Sequence, residues 1–198
     1  MLLNGLSLRG IPVMSLHLGD EISRTGEPII DPNDLRIVAF WLDGGQIGGE
    51  HGNILEMESV REISSIGMII DSIDELVSRG DVIKLDKIID INFSLIGKKV
   101  ESSKGAKLGK VIDYVIDPET FTVMQLIVKR PTIKSFFDSE LTIGRSQIKE
   151  TTDHKIIVKE ELASNSSQDF VPNFVNPFRK EPNFAPAHSQ NPGEEGTE

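Results

Sequence analysis

The stretch Leu108–Arg130, LGKVIDYVIDPETFTVMQLIVKR, holds two apolar runs separated by Asp117-Pro-Glu-Thr120. The runs, Leu108–Ile116 and Phe121–Val128, are rich in Val, Ile, Tyr, Phe and Thr and too short for typical helices, so they read as strands. Asp117-Pro118 is a turn signal: the Asp side chain can accept from the backbone ahead of it, and Pro presets φ. The stretch is expected to form a β-hairpin.

A second copy lies upstream. Ile22–Leu42, ISRTGEPIIDPNDLRIVAFWL, aligns without a gap at an offset of 86, placing Asp31-Pro32 on Asp117-Pro118 and the strand-like run Leu35–Leu42 on Phe121–Val128. Leu8–Val13 pairs with Leu95–Val100, Gly19 with Gly105, and Met68–Ile70 with Ile156–Val158. Two repeats of about 65–70 residues are the economical reading. Units so small bury marginal cores, and open strand edges invite aggregation. Closing each sheet into a small barrel removes the edges. The expected fold is therefore all-β: two small barrels in tandem, a short helical connector and a disordered C-terminal tail.

The expected divisions are 1–71 for the first, diverged repeat, 72–92 for the connector, 93–162 for the second repeat and 163–198 for the tail. In the connector, Ser72-Ile-Asp-Glu75 fits a capping box, and Arg79-Gly80 suits a helix end. A short helix is expected over about 73–79, then a strand at Val82–Leu85, with Asp86–Asn92 open between a turn of helix and extended chain. Pro28 implies an edge or a bulge in its strand. The tail is rich in Pro, Asn and Ser and lacks periodicity, so it is expected to be disordered. It repeats phenylalanine as Phe174, Phe178 and Phe184, which could serve as docking anchors.

The second repeat, on Leu95-Ile-Gly97, Val100, Gly105, Leu108-Gly-Lys-Val111, Asp113, Ile116-Asp-Pro118, Leu126-Ile-Val128 and Ile156-Ile-Val158, resembles the PRC-barrel domain. That family includes the cytoplasmic domain of the photosynthetic reaction centre H subunit and the C-terminal domain of the ribosome maturation factor. The first repeat looks like a diverged copy, with Ser23-Arg-Thr25 in place of Gly109-Lys-Val111. The resemblance implies a tandem PRC-barrel protein; fold analogy alone assigns no activity.

The charge is uneven. The whole chain carries −10; residues 1–80 hold 5 Lys/Arg against 13 Asp/Glu, residues 81–162 hold 14 against 13, and residues 163–198 hold 2 against 5. Only a local basic patch could attract nucleic acid to so acidic a chain. Lys98, Lys99, Lys104, Lys107 and Lys110 crowd one end of the second repeat, and Lys129, Arg130 and Lys134 follow in the next hairpin region. If the strands gather them, the face could meet RNA phosphates, an acidic protein or the acidic first repeat. Phe136-Phe137, adjacent aromatics in a polar loop, are a further candidate contact.

No catalytic or cofactor signature is found. There is no cysteine, and the four histidines lack metal-ligand spacing. Gly44–Gly52 has no Lys-Ser/Thr ending and no G-x-G-x-x-G spacing, so a flexible connection is expected. Trp41 is read as core or inter-barrel packing. The N-terminus lacks the basic leader of a secretory signal, and no window approaches about 18 uncharged apolar residues. The expectation is a cytoplasmic, non-catalytic adaptor without metal or cofactor, acting on an unidentified protein partner. The alternative is an RNA- or ribosome-associated maturation factor. A third reading, assembly of a membrane complex, would need a partner as anchor.

Overall fold

The computed structural model describes residues 2–45, 51–131 and 140–159. The chain is mostly β. Its first half holds β1 (Leu3–Asn4), β2 (Pro12–Ser15), β3 (Asp20–Asp31), β4 (Arg36–Asp43), β5 (Ile54–Glu56), β6 (Glu62–Ser64) and β7 (Gly67–Ile70). One α-helix, α1 (Ile83–Ile91), follows. The second half holds β8 (Lys99–Ser102), β9 (Lys107–Asp117), β10 (Thr122–Lys129), β11 (Glu140–Gly144), β12 (Ile148–Thr151) and β13 (Lys155–Val158). The hairpin expected at Leu108–Val128 is β9–β10, and the run Leu35–Leu42 supplies β4.

One order of pairing occurs twice. In the first half the strands run β5-β4-β3-β2-β7-β6, and in the second β11-β10-β9-β8-β13-β12. In each, the only parallel pair among the described residues, β2–β7 or β8–β13, brings the last hairpin back to the first strand of this order, β2 or β8. Individual bonds recur as well. Thr25 N–H donates to the Ile11 carbonyl at 2.9 Å, and Val111 N–H donates to the Lys98 carbonyl at 3.0 Å. Gly19 and Gly105 both turn with positive φ, 68° and 84°, where an L side chain would be strained.

The halves meet at their hairpin tips. Leu35 and Phe121, 86 positions apart, are both left-handed, with φ of 51° and 56°. Ile37 N–H donates to the Phe121 carbonyl, and Val123 N–H donates to the Leu35 carbonyl, each at 2.9 Å. The two turns are built alike: Asp31 Oδ1 accepts from Asn33 N–H, and Asp117 Oδ1 from Glu119 N–H. Leu35 and Phe121 are buried, and the hydrophobic core runs without a break from Phe40 and Met68 in one half to Leu126 and Ile156 in the other.

Departures from strict alternation trace to bulges. Along β10 the inward residues are Val123, Leu126 and Val128; the register shifts between Val123 and Gln125, leaving Met124 as the extra, exposed residue. A similar shift between Thr25 and Pro28 accommodates the proline in β3.

The connector differs from the sequence expectation. Ser72 caps, accepting from Asp74 N–H, but only a single 3₁₀ turn forms at Ile73–Glu75. The chain then extends because Val77 exchanges backbone bonds with Ile54, each 3.0 Å. The expected helix over 73–79 is therefore not formed. The expected strand Val82–Leu85 is the start of α1, in which Leu85, Ile88 and Ile89 make one apolar face. That face packs on Ile29, Ala39 and Ile54, with Trp41 beside it, outside the main core. Asn92, left-handed at φ 50°, ends the helix. No helix among the described residues is long and apolar enough to cross a membrane.

The N-terminal segment ties the halves a second time. Leu3 and Asn4 pair with Ile116 and Val115 of β9, Gly5 N–H donates to the Tyr114 carbonyl at 2.7 Å, and Leu6 N–H donates to Asp113 Oδ1 at 3.1 Å. Burial raises the Asp113 pKa, against the opposing effect of the Tyr114 and Leu6 N–H donors.

Two outcomes follow from this packing. Because one core spans both halves, calorimetry is expected to show a single unfolding transition. Phe121→Ala should lower stability by about 3 kcal/mol without splitting it; two resolved transitions would contradict a shared core. For Asp113, a folded-state pKa raised above the unfolded value means that the ionised carboxylate costs stability at neutral pH, a cost that fades as pH falls through the folded value. Asp113→Asn keeps an acceptor for Leu6 N–H and should raise the Tm at pH 7, with the gain vanishing below about pH 4. A Tm loss at pH 7 would contradict this.

Candidate partner-binding groove

Register decides where the lysines of the second half stand. Lys99 of β8 lies opposite Lys110 of β9, Lys110 lies opposite Lys129 of β10, and Lys155 of β13 pairs with Lys99. Four lysines thus form a row across four adjacent strands. Each of Lys99, Lys110 and Lys129 is exposed and adjoins an inward valine (Val100, Val111, Val128), so the three share the outer face. Lys107 sits opposite Glu101 one step along.

These residues rim a groove of about 610 Å³. Ile96, Ile112 and Pro131 contribute apolar floor and wall, and Lys99, Lys107, Lys110, Lys129 and Arg130 stand around it. The lining exposes far more apolar than polar surface, to which the lysine stems can contribute. Glu101 is the one acid at the rim among the described residues, and Lys155 Nζ already holds it at 2.7 Å. The Lys155 hydrogen bond, together with the charges of Lys155, Lys107 and Lys99, keeps the Glu101 carboxyl below its ordinary pKa. None of Lys99, Lys107, Lys110, Lys129 or Arg130 lies within ion-pair distance of an acid among the described residues. Among its described residues the groove sets five cations against one acid, beside an apolar surface.

The first half is an internal control. The positions matching Lys99, Lys110 and Lys129 are Pro12, Arg24 and Asp43, which pair across strands in the same way. There the row holds one cation and one anion, and Arg24 is further engaged by Glu21 at 2.8 Å. The shared strand order evidently does not require cations in this row. Like charges directly opposite on a sheet destabilise it, so packing gives no reason for three neighbouring lysines.

The other sequence candidates fall elsewhere. Lys98, counted with the basic face, is only 9% exposed. Its Nζ donates to the Thr152 and Asp153 carbonyls at 3.1 and 2.9 Å and lies 4.1 Å from the Phe93 ring centroid. Burial lowers its pKa, opposed by the nearby Asp153 charge. Lys98 is thus withdrawn from the exposed face: it fastens the β12–β13 turn to the start of β8. Lys104 is exposed in the β8–β9 turn and does not line the groove. Phe136, Phe137, Lys134, Phe174, Phe178 and Phe184 lie outside the described residues. Lys129 and Arg130, which the sequence offered only conditionally, complete the rim. Their signal was the alternation of lysine with inward valine along each strand.

A larger cleft of about 770 Å³ lies among Trp41, Phe93, Tyr114 and the ion pairs Arg9–Glu27 and Arg79–Asp90. Its cations already have carboxylate partners. Burial, with the neighbouring Asp113 charge, raises the pKa of the Tyr114 phenol well above its usual value, so it stays protonated. Among the described residues no group of three or more His, Cys, Asp or Glu is placed to hold a metal ion.

Strand order, closing parallel pair and turn chemistry bear on what this half is similar to. Residues 93–161 match the PRC-barrel domain. The lysine groove is therefore built on the outer face of the matched PRC-barrel segment, from β8, β9 and β10. No curated protein shows detectable similarity to the chain.

If the lysine row is not structural, relieving it should not harm the fold. Lys110→Glu, placed between Lys99 and Lys129, is expected to hold stability or raise it by roughly 0.2–1 kcal/mol, read by urea denaturation. A loss above about 1 kcal/mol would show that the lysines serve packing after all.

Proposed function

We propose that the chain is a non-catalytic, cytoplasmic protein-interaction adaptor, in which residues 1–71 form a diverged PRC barrel beside the matched one. The partner surface is the groove on the second barrel. The observation that carries the reading is the cationic rim, without ion pairs among the described residues, around an apolar floor, at positions where the first half is charge-balanced. Such a site suits an acidic segment bearing an aliphatic or aromatic anchor: the rim steers and orients it, and the floor supplies affinity. Phe174, Phe178 and Phe184 would add a second contact, whose benefit is effective concentration. Any association with a membrane would run through a partner.

The lysine row also favours one rival, RNA or the ribosome, since it offers several phosphate contacts along one line. Among the described residues no aromatic side chain lines the groove to stack a base, which favours the protein reading.

A photocrosslinking residue at Arg130 of the full chain, used in native lysate, separates the two. The expected product is a protein adduct that survives ribonuclease and is lost in the Lys110→Glu, Lys129→Glu double variant. An adduct that disappears with ribonuclease, or ribosomal co-sedimentation falling steeply with salt, would transfer the assignment to RNA. Capture of neither class by the groove would remove the adaptor reading.

A further inference from the structure

We infer that the groove's first occupant is the chain's own segment Glu160–Phe170, which a partner must displace; this rests on the groove being a peptide site as proposed above. Three observations converge. The described chain ends at Lys159, directly after β13, whose neighbour β8 forms one wall of the groove. The next eleven residues, ELASNSSQDF preceded by Glu160, carry Glu160, Glu161 and Asp169, no cation, and the apolar side chains Leu162 and Phe170. The groove offers the complement, cations that form no ion pair with a described acid, around an apolar floor.

The reach is sufficient. Val158 pairs with Ser102, so Lys159 leaves near the far end of β8, three residues beyond Lys99. The lysine row is therefore roughly 10 Å back along the strand, and β9 lies about another 10 Å across the sheet. Eleven extended residues span up to about 36 Å, enough to fold back with slack. A tether this short gives an effective concentration on the order of millimolar, so even a weak intrinsic affinity fills the site. The later part of the tail fits less well, because Arg179 and Lys180 bring cations toward a cationic rim. That leaves Phe174, Phe178 and Phe184 for a partner while Glu160–Phe170 covers the groove.

The absence of cysteine allows a direct test on the full chain. A nitroxide attached at Ser167→Cys should strongly attenuate the backbone amide signals of Lys110 and Lys129, and leave those of Arg24 and Asp43, the matched positions of the first half, unaffected. Attenuation should be lost in Lys110→Glu with Lys129→Glu and restored when Glu160→Lys and Glu161→Lys are added. Full-strength Lys110 and Lys129 signals at low salt, or attenuation equal at Arg24 and Asp43, would overturn the inference. So would attenuation that appears between labelled and unlabelled copies in a mixed sample, which would make the occupant a second molecule's tail. A synthetic peptide of residues 160–170, added in excess to the full chain carrying Glu160→Lys and Glu161→Lys, separates the two failures. If it shifts the groove amides while the tethered segment does not, only the resident-occupant inference falls. If neither reaches the groove, the peptide-site reading falls with it.

Discussion

The fold depends on a reciprocal pair of backbone hydrogen bonds at the tips of two hairpins, Ile37 to Phe121 and Val123 to Leu35. A two-residue contact would be a weak seam by itself. It matters because each accepting residue is also a buried side chain, so making the bonds drives Leu35 and Phe121 into the core that both halves share. Both residues must sit in the left-handed region to do this, at roughly 1–2 kcal/mol each. Burying each side chain returns about 1.5–3 kcal/mol. The geometry is tolerable because the turns that precede them, held by Asp31 and Asp117, set the backbone before the strained residue is reached.

This joint also explains which parts of the sequence could be read in advance. Strand runs and Asp-Pro turns are local: β-branched residues, alternation and a side-chain acceptor suffice to specify them. The recurrence of order across 86 residues made the shared strand plan legible too. The bonds between the halves were not legible, since nothing in Leu35 or Phe121 announces a left-handed backbone. The helix was misplaced for a related reason. Ser72 supplies a real cap, but Val77 is taken by Ile54, and that non-local bridge stops the helix after one turn. Val82-Ile83-Lys-Leu85 suits a strand as well as a helix. Only the apolar surface of Ile29, Ala39 and Ile54, on β3, β4 and β5, makes the helical choice the one that buries Leu85 and Ile88.

The groove was half legible. A cluster of lysines is visible in any reading of the chain, but which of them face together depends on strand register, and register here passes through bulges between Val100 and Glu101 and between Ile127 and Val128. Those shifts carry Lys129 into line with Lys110 and Lys99. Lys98, adjacent in sequence, goes to the opposite side and is consumed by two backbone carbonyls. Sequence proximity therefore grouped one lysine wrongly and left two rim cations conditional.

Comparison of the halves separates what the architecture needs from what it merely permits. Turn acids, left-handed residues, inward apolar positions and the closing parallel pair occur in both, so they belong to the fold. The cationic row occurs in one. An array of neighbouring like charges is a standing cost on a sheet, one that screening by salt reduces and that an anionic ligand would convert into a gain. In the first half the equivalent cost is cancelled internally by Asp43 and Glu21 beside Arg24. In the second, Glu101, the only rim acid among the described residues, is drawn off by Lys155, which lies on the same row and would otherwise extend it. The described residues of this face thus leave a cationic excess beside the apolar lining residues Ile96, Ile112 and Pro131.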